Sequence, residues 1–127
     1  MVNTLRKAER LHSKTVVDQM FTGGLSKSFS VFPLRVVYMS VREQEASVSI
    51  LVSVSKKRFK RAVKRNRVKR QIREAYRNNK HELLRICDEQ GQQMAVAFIY
   101  LSDELVPSTL IEEKMKVLLA RLAEKVL

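Results

Sequence analysis

Alternate positions decide the middle of the chain. In Ser47–Ser55 (SVSILVSVS), Val48, Ile50, Val52 and Val54 recur at every second step with mostly serine between them, the period of a strand with one buried side. Upstream, Ser28–Val41 (SFSVFPLRVVYMSV) is rich in β-branched and aromatic residues, which favours another strand. Pro33 has no N–H to give to a ladder, so this run is expected to bulge or to divide there, with the proline edge facing outward. The polar link REQEA (42–46) predicts a hairpin turn between the two runs. MAVAFIYLS (94–102) is apolar on both alternating sets and predicts an interior strand.

Three other stretches follow a helical period. Leu5, Ala8, Leu11, Val16, Val17, Met20 and Phe21 recur at three- and four-residue steps, predicting a helix over Val2–Met20 that Gly23-Gly24 stops. Ile111, Met115, Leu118, Leu119, Leu122 and Val126 form one stripe of a closing helix, opened by Pro107 and by Thr109 and Glu112 at capping-box spacing. Between these lies a segment without glycine or proline in which Val68, Ile72, Ala75 and Tyr76 share a face about 100° wide. Asn66, Lys69, Arg70, Arg73 and Arg77 fill the adjoining arc, so one side is expected to pack and the other to bind. Phe59, Ala62 and Val63 do not join the apolar stripe, so the first turn is expected to bend away from the sheet or the helix to begin later than composition implies. After this helix, a stretch ending near Gly91 reads as a polar connection. An order of helix, strands, helix, strand, helix predicts an α+β sandwich, about four strands covered by helices.

Length and composition leave room for one domain, 1–127, with 45% apolar and 30% charged residues, the balance of a chain that folds on its own. The first ten residues lack the apolar core of a signal peptide, and the longest apolar run, 95–101, is too short to span a bilayer, so a cytoplasmic protein is expected. Cys87 stands alone and is expected to be inert. The charge changes the picture more. Residues 56–77 hold twelve bases (Lys56, Lys57, Arg58, Lys60, Arg61, Lys64, Arg65, Arg67, Lys69, Arg70, Arg73 and Arg77) against the single acid Glu74, while the chain as a whole is +12. A solvated helix face usually interleaves acids with bases. Here like charges repel along the helix with little relief, which points to a polyanion partner. Seven of the twelve are arginine, whose planar fork grips phosphate with two hydrogen bonds.

A membrane surface would want aromatic or leucine wedges beneath the charges, and the opposite face is Val, Ile, Ala and Tyr. Double-stranded DNA stays open on charge alone. Structured RNA is favoured because Lys56-Lys57 ends a strand and Phe21, Phe29 and Phe32 could stack on unpaired bases, although core positions are an equal reading for those rings. A nuclease would need a carboxylate cage or paired histidines. His12 and His81 lie in separate polar contexts, and the acids gather mainly as Glu43-Gln44-Glu45 and Glu112-Glu113, a turn and a helix start. The residues therefore describe an RNA-binding module with no catalytic or metal-ligating residue of its own.

SKKRFKRAVKRNRVKRQIREAYR (55–77) closely resembles the signature of the bacterial ribonuclease P protein subunit, centred on Arg65-Asn66-Arg67 and continued by Lys69-Arg70 and Arg73-Glu74. RLHSKTVVDQMFTGG (10–24) is similar to that family's first helix and SVFPLRVVY (30–38) to its first strand, so the likeness covers nearly the whole chain. The resemblance implies a fold like the second domain of ribosomal protein S5. It implies a partner, the ribonuclease P catalytic RNA, which supplies the active site and requires Mg2+ while the two together remove the 5′ leader of precursor tRNA. Arg65, Asn66, Arg67, Lys69, Arg70 and Arg73, with Arg61, Lys64 and Arg77 beside them, are then the contacts to the catalytic RNA. Phe21, Phe32, Lys56, Lys57 and Arg61 are the contacts to the single-stranded leader, in a cleft between the first helix and the sheet. No cofactor on the chain, no membrane and no protein partner is implied. The chain departs from the family pattern at Lys60, where many relatives have glycine, at Tyr100-Leu101, where a basic pair often stands, and at Val17, which replaces a common phenylalanine. A structural RNA-binding protein of ribosomal type, without a part in tRNA processing, is the alternative; an autonomous nuclease is a third.

Overall fold

A four-stranded sheet organises the chain in a computed structural model that describes residues 5, 7–11, 13–22, 24–42, 44 and 46–127. Val2, His12, Gly23, Glu43 and Glu45, which enter the expectations above, lie outside the described residues. The strands are β1 (Lys27–Val31), β2 (Leu34–Ser40), β3 (Val48–Ser53) and β4 (Met94–Tyr100), in the order β1-β2-β4-β3. β1 with β2 and β2 with β4 run antiparallel, and β3 with β4 runs parallel.

β4 accounts for that order. Its residues are buried on both faces except for half-buried Ile99, and a strand of this kind is best covered between two others. It inserts between β2 and β3, so REQEA joins strands that are not neighbours and the expected hairpin is not formed. The link is instead tied to the start of β4: Val41 N–H donates to the Gln93 carbonyl at 3.0 Å, and Gln44 donates to Gln93 Oε1 and to the Met94 carbonyl, each at 3.1 Å. The hairpin lies earlier, where Phe32-Pro33, a cis peptide, turns β1 into β2 and divides the run Ser28–Val41 in two. Pro33 is buried rather than outward-facing, and its carbonyl accepts the Leu101 N–H at 2.8 Å. A turn position asks no N–H of the ladder, which leaves the ring free to pack inside.

Four α-helices are described: α1 (Lys14–Thr22), α2 (Ala62–Asn79), α3 (His81–Gln90) and α4 (Ser108–Val126). One face of the sheet, with Leu34, Val36, Ile50, Val96 and Phe98, is buried under α2, α3 and α4 through Ile72, Tyr76, Leu83, Met115 and Leu118. Tyr76 tilts over Phe98 with ring centroids 5.7 Å apart, and Phe59 lies 6.0 Å from Tyr100. Burying a large side chain of this sort contributes about 1.5–3 kcal/mol. On the other face Met20 of α1 closes over Val37, Met39, Ala95 and Ala97, a smaller cluster.

The first helix is shorter than its periodicity predicts. A 3-10 turn at Lys7–Glu9 gives way to an extended step in which Arg10 bridges Ile50 and Leu11 N–H donates to the Ile50 carbonyl at 2.7 Å. Pairing the outer edge of β3 in this way covers an edge strand that would otherwise stay open. Ser13 then begins α1, its Oγ accepting the Val16 N–H at 3.3 Å. Gly24, at φ +72°, follows the helix in the left-handed region. The stretch before Gly91 is a helix rather than a polar connection: α3 buries Leu83, Ile86 and Cys87, and Gly91 at φ +64° caps it. At the α2–α3 junction Lys80 Nζ meets Glu9 Oε2 at 2.7 Å, both side chains almost wholly buried, which fastens the N-terminal segment to the helices.

Candidate nucleic-acid interface

α2 has Val68, Gln71, Ile72, Ala75 and Tyr76 buried along one side, the i, i+3, i+4, i+7 rhythm of a packed helix. The complementary arc follows from the same period. Asn66, Arg70, Arg73 and Arg77 fall opposite the buried stripe, flanked by Arg67 and Lys69. Arg61, Lys64, Asn66, Arg67, Arg70 and Arg73 are exposed, and Arg65, Lys69 and Arg77 are half-buried. Val63, also in this arc, is 79% exposed, which explains why it stands outside the apolar stripe. Phe59 is buried before the helix begins, so the helix starts late, at Ala62.

The bases are largely uncompensated. Arg58 pairs with Asp103 at 3.0 Å, whereas Arg61, Lys64, Arg67, Lys69, Arg70 and Arg73 enter no ion pair among the described residues. The first turn of α2 holds no acid and its N-cap residue Arg61 makes no side-chain cap, so the positive end of the helix dipole adds to the field of the side chains. Arg65 differs from its neighbours. Its guanidinium donates to the carbonyls of Phe59 and Lys60, each at 2.8 Å, and so fixes the loop that leads into the helix. That loop, with Lys57 N–H on Ser55 Oγ at 3.1 Å and Phe59 anchored against Tyr100, presents Lys56, Lys57, Lys60 and Arg61 to solvent.

The expected leader residues are spread more widely. Phe21 lies in the last turn of α1 at 48% exposure and Phe32 occupies the β1–β2 turn at 65%, and neither ring stacks on another among the described residues. Phe29, by contrast, is turned to the helical side, edge-on to Tyr38 and beneath Lys125 Nζ, so its core reading prevails. The sheet face that α1 covers only in part is the surface between these groups. Ser28, Ser30, Arg35 and Ser53 are exposed on it, with half-buried Leu51 and Ile99 packed against the cluster beneath α1. Arg35, which did not figure among the expected contacts, is exposed on this face between the fully buried Leu34 and Val36.

The remaining chemistry is sparse. Cys87 is fully buried, and burial first, then Asp88, pushes its thiol up to about 11, so it is protonated and unreactive at neutral pH. Tyr100 is buried with its hydroxyl donating to the Glu104 carbonyl at 2.6 Å, a core role. Among the described residues no three His, Cys, Asp or Glu stand close enough to share a metal ion, and no helix is long and apolar enough to cross a membrane.

Comparisons with known proteins agree with this geometry. Residues 5–123 match the protein family described as Ribonuclease P. A ribonuclease P protein component of Porphyromonas gingivalis is 48% identical over 123 residues, covering 96% of this chain and 88% of its own length. One from Chlorobium phaeobacteroides is 38% identical over 109 residues, covering 79% and 73%. The solved ribonuclease P protein of Staphylococcus aureus superposes with a TM-score of 0.71 at 21% identity, covering 91% of this chain and 96% of that one. That of Thermotoga maritima gives 0.70 at 23%, covering 89% and 96%. With the likeness running from the edge-covering N-terminal segment to the last turns of α4, the chain belongs to the ribonuclease P protein component family.

Proposed function

We propose that this protein binds the catalytic RNA of ribonuclease P through the outer arc of α2 and the 5′ leader of precursor tRNA across the partly covered sheet face. The RNA then cleaves, using the Mg2+ it binds, and the chain supplies no catalytic group. The observation behind this reading is the set of bases without an ion-pair partner among the described residues, Arg67, Lys69, Arg70 and Arg73 around the solvent arc of α2 with Arg61 and Lys64 at its N-terminal end. Two RNAs brought together repel, and a cationic surface between them offsets that repulsion, strengthening substrate binding and lowering the Mg2+ required. Lys56, Lys57 and Arg61 at the loop, with Phe21 and Phe32, are the leader contacts in this reading. The complex would act in the cytoplasm.

The test incubates precursor tRNA at low Mg2+ with the protein alone, with ribonuclease P RNA alone and with both. Leader removal by the mixture only is the expected result. Removal by protein freed of RNA would make it a nuclease in its own right, and no effect of the protein on cleavage would favour the structural, ribosomal-type alternative. With about five to eight phosphates neutralised, affinity for the RNA should fall by several decades for a tenfold rise in salt.

A further inference from the structure

We propose that Arg35 is an additional leader-binding residue, the phosphate anchor of the open sheet face, and that this face grips the leader by its backbone rather than by stacking. The inference rests on the functional reading above and adds to it the chemistry of the cleft floor.

Strand parity fixes where Arg35 points. Leu34 and Val36 on either side of it are fully buried in the helix-covered core, so Arg35 projects from the opposite face. Its cross-strand partners there are Ser30 of β1 and Ile99 of β4, and Ile99 in turn pairs with Ser53 of β3. The next row, Ser28, Val37, Ala97 and Leu51, is closed in its middle by Met20 of α1, which buries Val37 and Ala97. The open floor is thus Ser30, Arg35 and Ser53 with half-buried Ile99, and Ser28 beside them: serines, one aliphatic side chain and one cation, with no aromatic ring. Phe21 and Phe32 belong to a helix end and a turn, not to these rows. Exposed serines on the two outer strands, β1 and β3, leave a shallow trough in which a polymer backbone can approach the sheet, and a surface without rings offers bases no stacking platform.

The cation is available. Arg35 is exposed, and its one side-chain hydrogen bond among the described residues is a long one, Nη2 to Ser28 Oγ at 3.3 Å; it enters no ion pair with any of them. Four of its five N–H donors remain free for a phosphate oxygen pair. Two strands across, about 10 Å away at ordinary strand spacing, β3 ends at Ser53 and leads into Lys56-Lys57. Arg35 and this lysine pair therefore bracket the trough, the geometry of a strand held at successive phosphates. Backbone grip of this kind is indifferent to base identity and sensitive to salt.

The experiment uses holoenzyme reconstituted with ribonuclease P RNA and compares a precursor tRNA bearing a leader of several nucleotides with one trimmed to a single leader nucleotide. Wild type should bind the long-leader substrate more tightly. Arg35→Ala should remove about tenfold of that advantage, the worth of one charge-assisted contact, and lower the salt slope by about one unit, without changing affinity for the trimmed substrate. Arg35→Lys should restore part of it, and matched thermal melts with Ser28→Ala separate binding from hairpin stability. An unchanged leader advantage in Arg35→Ala would overturn the anchor. A loss that varies with the leader's base sequence would overturn backbone grip. If wild type itself shows no leader advantage, the leader-binding reading falls, and Arg35 with it.

Discussion

Arg65 and Arg67 lie two positions apart on α2 and have different neighbours. Arg67 is exposed and makes no side-chain hydrogen bond or ion pair among the described residues, so Arg67→Ala should weaken binding to the catalytic RNA while leaving stability, read by thermal melting, within about 0.5 kcal/mol of wild type. Arg65 spends its guanidinium on two loop carbonyls, and Arg65→Ala should lose about 1–3 kcal/mol of stability in addition to RNA affinity. The sequence, which shows both only as members of one motif, does not separate them, because a loop carbonyl has no signature in a residue pattern. Cys87 gives a second test. Its thiol binds its proton more tightly folded than unfolded, so its contribution is complete below the ordinary thiol range and lost as pH rises through about 11. Tyr76, whose hydroxyl is held protonated by burial, then by Glu9 and Cys87, acts in the same direction at still higher pH. Urea midpoints taken from neutral pH to about 11 should fall, and fall less steeply in Cys87→Ala.

The helices and strands show what a hydropathy pattern can and cannot specify. Alternation in Val48–Ser53 and the double-sided apolar character of Met94–Tyr100 predict β3 and an interior β4. Neither reveals that β4 enters between β2 and β3, since strand order depends on which faces need covering across the whole sheet. α3 was legible in Leu83, Ile86 and Cys87 at helical spacing before Gly91, but its polar flanks hide it among charged residues. α4 begins as the pattern predicts and is not capped as predicted. Pro107 occupies the N-cap, no side-chain cap bond forms, and Glu112 instead accepts a hydrogen bond from Asn79 Nδ2 of α2 at 2.7 Å. Thr109→Ala should therefore alter stability by less than about 0.5 kcal/mol, where a working cap would cost about 1 kcal/mol. Asn79→Ala and Glu112→Ala should each cost about 1 kcal/mol and couple by at least about 0.5 kcal/mol in a double-mutant cycle read by denaturant unfolding. A cap at Thr109 would give the reverse result: a costly threonine and two independent neighbours.

At the scale of the molecule, function and stability pull on the same charges in opposite directions. Residues 56–77 hold a net +11, so the rest of the chain sums to only +1. Most of that charge stands on one helix, where Lys64, Arg67, Lys69, Arg70 and Arg73 enter no ion pair among the described residues, so the free protein holds like charges together at a cost in self-repulsion. Salt should act with opposite signs on two measurements. Screening at about 0.15 M shortens the reach of the repulsion to about 8 Å and should raise the melting temperature of the free protein. The same salt should weaken the RNA complex, because releasing counterions into a more concentrated solution is less favourable. Replacing Arg67, Arg70 and Arg73 together by glutamine should make the free protein more stable at low salt and less responsive to added salt. It should also reduce the salt slope of RNA binding by about two to three units, at roughly 0.7–0.9 for each phosphate that is no longer neutralised. A free protein indifferent to salt, with a triple variant no more stable than wild type, would mean that the charges are already balanced within the fold. The arc of α2 would then have no need of a polyanion, and the division of labour between helix and RNA would have to be sought on another surface.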